Sequence, residues 1–309
     1  MRYAKCQFKC NLMNDVKLPY YKGAVFRNLF PGHFKHVACN ERKRSCDKCR
    51  KSDRCEYTGF IEIPKNVVFS KKLPTISPPR PFIVEPPQTT AREFAAGMPF
   101  DFNLILIGEA VDALPLFIRA MKRMGEIGFG KGPGLFAIKE IMVRDENIFT
   151  NAVPMREIAV MPETLSPPEL SPAGRRDVSL RVTFKTPLRI KYYDAAVPEL
   201  PFHVFVRMML RRISSLAGCY GSREPAYDYK AFIEYAKNNV ESASHLEWFD
   251  WKHKAARQDK SLMKGSITGN VFYTGKIDNF LPLINACELL HIGKQAAYGM
   301  GLFEHEGLT

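Results

Sequence analysis

No stretch of the 309 residues approaches the eighteen or so consecutive apolar positions that mark a membrane-spanning helix, so no membrane partner is expected. The first ten residues, Met1 to Cys10, hold no apolar h-region, and a secretory leader is not expected either. The Gly-rich turns lack a closing Gly-Lys-Ser/Thr and do not match the spacing of a dinucleotide fingerprint, which argues against nucleotide hydrolysis and against nicotinamide or flavin chemistry. Acidic side chains are scarce: 32 Asp and Glu stand against 45 Lys and Arg, for a formal charge of +13. The remaining expectation is a cytoplasmic protein whose eight cysteines stay reduced, free or metal-bound rather than paired. Its charge calls for a polyanionic partner, nucleic acid above all.

What is present is ordinary globular material. The 46% hydrophobic content with 25% charge can bury a core and excludes a disordered chain. At roughly 150 residues per domain the length suggests two domains. Residues 100–136 and 267–303 align without gaps at an offset of 167. Leu114-Pro115-Leu116 returns as Leu281-Pro282-Leu283, Asn103 as Asn270, Gly108 as Gly275, and Gly132-Pro133-Gly134-Leu135-Phe136 as Gly299-Met300-Gly301-Leu302-Phe303. Each copy reads as strand, helix, Gly-rich turn and strand. Upstream of the first copy, Tyr3–Leu12 suits a strand, Ala24–Val37 a helix and Arg80–Glu85 a strand, with Phe82-Ile83-Val84 at a sheet edge. Upstream of the second, Val178, Leu180, Val182 and Phe184 alternate as a strand does. Phe202, Phe205, Met209, Ile213 and Leu216 fall on one side of a helix.

The expected fold is therefore α+β, two tandem ferredoxin-like βαββαβ domains with a Cys-rich insertion in the first. Residues 1–149 form the first domain, with the insertion at 39–57. A Pro-rich linker follows at 150–174, where five prolines and three acids meet the single Arg156. Residues 175–309 form the second domain, which carries the Gly-rich loop.

The positive charge is clustered. Residues 35–54 hold eight basic side chains, among them Lys35 and Arg42, against Glu41, Asp47 and Asp53. A second group is Arg175, Arg176, Arg181, Lys185, Arg189 and Lys191. Arg207, Arg211 and Arg212 occupy the polar side of the Phe202 helix. Lys252, Lys254, Arg257, Lys260 and Lys264 follow Trp248, Phe249 and Trp251. Basic groups interleaved with aromatics suit RNA, where cations meet phosphates and rings stack on unpaired bases. The segment from His291 through Gly293, Lys294, Gly299 and Gly301 offers flexible backbone and a lysine to an anion. Candidate RNA-binding residues are thus Arg189, Arg207, Arg211, Arg212, Trp251, Arg257, Lys264, His291, Gly293, Lys294, Gly299 and Gly301.

Cys39-x6-Cys46-x2-Cys49-x5-Cys55 puts four thiols within seventeen residues. In a reduced compartment a Cys-x-x-Cys pair points to tetrahedral zinc, here a structural ion folding a basic loop. His33 or His36 is an alternative ligand. Cys219 and Cys287 are expected in the core.

The order of several segments resembles the CRISPR precursor-RNA processing endoribonucleases of the RAMP superfamily. They are Lys22-Gly23-Ala24-Val25-Phe26-Arg27, the Cys cluster ending at Tyr57, Arg80-Pro81-Phe82-Ile83-Val84, Thr186 to Lys191, Leu210 to Ser214, Arg257-Gln258, Gly269-Asn270-Val271 and the Gly-rich segment. The resemblance covers nearly the whole chain. It implies tandem ferredoxin-like domains and a metal-independent endoribonuclease that matures CRISPR RNA. In that reaction the 2′-hydroxyl attacks the scissile phosphate, leaving a 2′,3′-cyclic phosphate and a 5′-hydroxyl. It implies no catalytic cofactor, and as partners the repeat RNA and other CRISPR effector subunits, with the protein a monomer or homodimer. The family's catalytic histidine lies in or just after the first helix. The matching candidates are His36 and His33 as base or acid, Lys35 and Arg42 for charge, and Tyr21 in assistance. Two other readings use the same residues: a non-catalytic RNA-binding RAMP subunit, and a zinc-dependent nucleic-acid-binding regulator.

Overall fold

The computed structural model describes residues 1–41, 45–63, 78–129, 134–149, 154–190, 198–249 and 265–308. The chain divides into two compact units, Met1–Leu165 with Gly218–Ser222, and Ser166–Ala217 with Arg223–Thr309.

In chain order the first unit contains β1 (Arg2–Leu12), β2 (Val16–Lys17), α1 (Gly23–Ala38), α2 (Glu56–Phe60), β3 (Phe82–Glu85), β4 (Glu93–Phe94), β5 (Phe102–Ile107), α3 (Leu114–Ile127), β6 (Phe136–Val143), β7 (Glu146–Asn147) and β8 (Glu163–Thr164). The main sheet runs β3-β5-β1-β6-β7, with every pair antiparallel and β8 added to β1. β3 is the edge strand expected from Phe82-Ile83-Val84. Even-numbered residues of β1, from Ala4 to Leu12, are buried on one face. They meet α1, which buries Phe26, Phe30 and Phe34 at four-residue spacing. Phe117 of α3 closes the layer, 4.8 Å from Phe34 and 5.9 Å from Phe30 between ring centroids. Full burial of each such ring contributes about 1.5–3 kcal/mol.

One lysine belongs to this core. Lys22, 1% exposed, donates from Nζ to the carbonyls of Tyr20 (3.0 Å), Thr89 (2.7 Å) and Ala91. It also lies 5.6 Å from the Phe94 ring centroid. It ties the 86–94 segment to the start of α1.

The second unit is built from β9 (Val178–Arg189), α4 (Phe202–Tyr220, whose last residues count with the first unit), α5 (Tyr229–Asn239), β10 (Val240–Trp248), β11 (Ser266–Gly275), α6 (Leu281–Leu290) and β12 (Phe303–Leu308). Its sheet runs β10-β11-β9-β12, again antiparallel throughout. Both units thus share one plan. The first strand of the βαββαβ series sits between the third and fourth, and the second lies at the edge. Phe202 and Phe205 pack on Tyr273 at 4.9 and 5.6 Å, and Phe205 on Phe303 at 5.2 Å.

The 167-residue repeat has a direct structural counterpart. α3 starts at Leu114 and α6 at Leu281, each with a proline in its first turn, where a missing N–H costs nothing. β6 starts at Phe136 and β12 at Phe303. Within the Pro-rich stretch 150–174, β8 pairs with Arg2 and Tyr3, and the Met1 amine donates to the Leu165 carbonyl at 2.8 Å. That part of the stretch expected to be a linker adds a strand to the first sheet. Among the described residues no helix is long and apolar enough to cross a membrane.

Candidate active site

In the second unit the Gly-rich segment folds back on β9. Gly293, Gly299 and Gly301 all have positive φ, at 80°, 82° and 72°. A Cβ on Gly301 would stand 1.9 Å from the Ile292 carbonyl oxygen. Ile292 N–H donates to Gly301 O (3.1 Å), Gly301 N–H to Pro187 O (3.0 Å) and Lys294 N–H to Arg189 O (3.1 Å). Only Gly293 and Lys294 are exposed, while Gly299, Gly301 and His291 are buried. His291 is fully enclosed, its Nδ1 3.3 Å from the Met300 carbonyl. Three of the five residues expected to face RNA here therefore shape the loop from inside, and the exposed tip at 293–294 is what an anion can reach.

In the first unit, His33, Lys35 and His36 lie in the last turns of α1. His33 and His36 are both half-buried, and i,i+3 spacing puts them on one face. The His33 imidazole is held below its ordinary pKa, chiefly by burial, with Arg123 of α3 and then His36 adding repulsion. Lys35 Nζ lies 5.3 Å from the centroid of the Tyr57 ring, a cation–π contact across to α2. Tyr21 is buried at 7% exposure, which drives its phenol well above the usual value and keeps it protonated. It lies in the interior, whereas its neighbour Tyr20 is exposed. Arg42 lies outside the described residues. Arg123 was not anticipated: on sequence it is one more basic residue on an amphipathic helix, and only the packing of α1 on α3 brings it beside His33.

Residues 1–162 match the family model AF_1859_N, an N-terminal domain, and residues 182–303 match that of the CRISPR-associated endoribonuclease Cas6. Residues 182–303 form a domain of the Cas6 family of CRISPR-associated endoribonucleases. It is 27% identical to an "uncharacterized protein" of Archaeoglobus fulgidus over 93% of this chain and 92% of that one. Among solved structures, a product complex of Cas6 (TTHB231) from Thermus thermophilus aligns over 99% of this chain and 100% of its own, at 13% identity and a TM-score of 0.50. A partial Cas6-RT-Cas1–Cas2 complex aligns over 99% of this chain and 46% of its own, at 9% identity and a TM-score of 0.55. At those identities the likeness to solved structures is one of fold.

The other basic residues of this chain divide into displayed and engaged. Arg207 and Arg211 are exposed on α4, and Arg189 is half-buried. Arg212 is half-buried, and its Nε donates to the Leu290 carbonyl at 3.0 Å, capping the end of α6. Arg181 pairs with Glu306, and Lys185 with Glu304 at 3.3 Å, so β12 neutralises part of the second basic cluster. Trp251, Arg257 and Lys264 lie outside the described residues.

Cys39 caps the end of α1, and Cys49 and Cys55 end two short 3-10 turns. Burial pushes the Cys46 thiol up, and Glu62 and Cys39 push it further while Lys35 opposes them. Among the described residues no three metal-ligating side chains converge, so Cys39, Cys46, Cys49 and Cys55 form no tetrahedral array as they stand.

Proposed function

We propose that this chain is a metal-independent endoribonuclease that cuts the repeat RNA of a CRISPR precursor transcript on a tandem ferredoxin-like scaffold. The carrying observation is His33, held below the ordinary imidazole value beside His36 and Arg123. A histidine that stays neutral at neutral pH can take the proton of a 2′-hydroxyl. The 2′-oxygen attacks the adjacent phosphorus, the bond to the 5′-oxygen breaks, and protonated His36 supplies that oxygen's proton. The products are a 2′,3′-cyclic phosphate and a 5′-hydroxyl. The nucleophile belongs to the substrate, so no metal-activated water is required. Lys35 and Arg42 add positive charge, and Lys294, Arg189, Arg207 and Arg211 hold the RNA. The partners are repeat RNA and other CRISPR effector subunits, in the cytoplasm.

A structural zinc is proposed for the Cys39, Cys46, Cys49 and Cys55 loop, with binding itself gathering the ligands. It has no part in the cut.

The test is incubation of the purified protein with labelled repeat RNA in EDTA. Cleavage that disappears with one 2′-deoxy nucleotide at the cut site supports the mechanism. Tight binding without cutting between pH 6 and 9 overturns it in favour of a non-catalytic RNA-binding subunit. Absence of preference for repeat over random RNA points to a general nucleic-acid-binding regulator instead.

A further inference from the structure

In the seam between α1 and α3, Arg123 has no acid paired with it among the described residues. His33 and Arg123 are half-buried on facing helices whose contact is fixed by the Phe30, Phe34 and Phe117 rings. Among the described residues Arg123 makes no ion pair and no hydrogen bond, and its Nε is shut off from solvent without an acceptor. The charged neighbours on α1 are Arg27, Lys35 and His36, all basic. On α3 they are Arg119, Lys122 and Glu126, with Glu126 4.0 Å from Lys122; the 155–157 turn packed on α3 adds Arg156 and Glu157, 3.3 Å apart, and α2 packed on α1 adds Glu56. A guanidinium does not shed its proton, so a half-buried one beside the His33 imidazole is unfavourable until an anion reaches it.

We infer that Arg123 is the phosphate ligand of this site, its outer nitrogens forking onto the non-bridging oxygens of a phosphodiester whose ester oxygens lie at His33 and His36. This deepens the endoribonuclease reading and rests on it for the identity of the anion. A phosphodiester is preferred to a carboxylate because the planar fork matches two equatorial oxygens while the imidazoles serve the two oxygens on either side. Arg123 then stabilises charge that builds on the phosphorane from α3, while Lys35, held against Tyr57, adds to it from α1. The ligand thus comes from α3, a helix distant in sequence from the histidines.

Sulfate is the probe, with the His33 imidazole followed by NMR titration in the full chain. In the wild type, sulfate raises the His33 pKa. Arg123→Gln raises it without sulfate and removes most of the sulfate response, while Arg123→Lys keeps part of it. With repeat RNA, Arg123→Gln lowers kcat on the order of 100-fold, the usual effect of losing one charge-stabilising donor, with KM little changed. A wild-type His33 that ignores sulfate overturns the assignment, and needs no variant to show it. So does an Arg123→Gln protein with an undiminished sulfate response or wild-type cleavage. A sulfate response through Arg123 in a protein that never cuts RNA upholds the anion seat and sinks the endoribonuclease reading.

Discussion

Thr186 donates its hydroxyl hydrogen to the carbonyl of Gly299 at 2.7 Å, wholly inside the second unit. The same Oγ1 accepts from Leu302 N–H at 2.9 Å, so one side chain fastens both ends of the last Gly-rich turn to β9. Thr186→Val keeps the shape and strands both backbone groups. The expected cost is about 2 kcal/mol, the usual scale for a buried polar group left unpaired. The RNA binding proposed for Lys294 is expected to weaken with it, because the tip loses its support. A valine variant that melts at the wild-type temperature with undiminished affinity removes Thr186 from this role.

Gly301→Ala tests the same loop by crowding. Its φ of 72° is unfavourable for any L side chain, and the new methyl would meet the Ile292 carbonyl, which is itself part of the turn. Neither group can step aside cheaply. Poor folding of the second unit is expected, with a loss of 3 kcal/mol or about that from strain and clash combined. Gly307, with nothing within 4 Å, is the control, and Gly307→Ala is expected to be silent in the same thermal melt.

The duplicated half of each unit was legible because its signals are local. Leu-Pro-Leu starts a helix and Gly-x-Gly-Leu-Phe starts a strand wherever they occur, so the 167-residue offset reappears in α3 and α6, and in β6 and β12. α5 and β10 were not foreseen. α5 buries only Phe232 and Ala236, and the inner face of β10 carries the polar Ser242 and Ser244 between Val240 and Leu246, so neither leaves a strong apolar period. The glycines misled about their use. Sequence does not distinguish a glycine that opens backbone N–H groups to an anion from one, like Gly301, that lets two chain segments touch. Arg123 and Lys22 were missed because charged residues read as solvated until the elements around them are placed.

Lys22→Met removes a buried ammonium from three carbonyl acceptors. Burial pulls this lysine down to about 8, with Arg92 adding to the effect, but the three carbonyls face the charged form and favour keeping it. Methionine fits the volume and satisfies none of them. A loss of about 2–4 kcal/mol is expected, with protease cleavage appearing first in the 86–94 segment, which the lysine holds. A methionine variant as stable as the wild type shows that those carbonyls find other donors.

Zinc, if the Cys-rich loop takes it, is expected at one ion per chain in protein purified without chelator. Substituting Ser at Cys46 and Cys49 is expected to remove the ion and loosen the loop while leaving the α1–α3 core folded. The Cys46 thiol is pushed up by burial and by Glu62, so binding has to displace a proton and will weaken as pH falls. Reconstituted protein that holds no metal at pH 8 rules the ion out.

The pH profile carries the sharpest sign. His33 has a folded pKa below its ordinary 6.5, mainly through burial, then through Arg123 and His36. Between the folded and unfolded values the unfolded chain binds more protons. The contribution to stability is therefore complete above 6.5 and is lost as pH falls through the folded value. His203, lowered by burial and then by Arg207 and Lys237, adds in the same direction. The melting temperature is expected to drop between pH 7 and pH 5. In the proposed mechanism His33 is the general base, so the acid limb of kcat/KM is expected below 6.5. Arg123→Gln moves that limb upward, yet not to the full unperturbed value, because burial is the larger cause and remains. His33→Ala abolishes the limb along with most of the rate. A limb that stays fixed in Arg123→Gln, or survives in His33→Ala, assigns the base elsewhere.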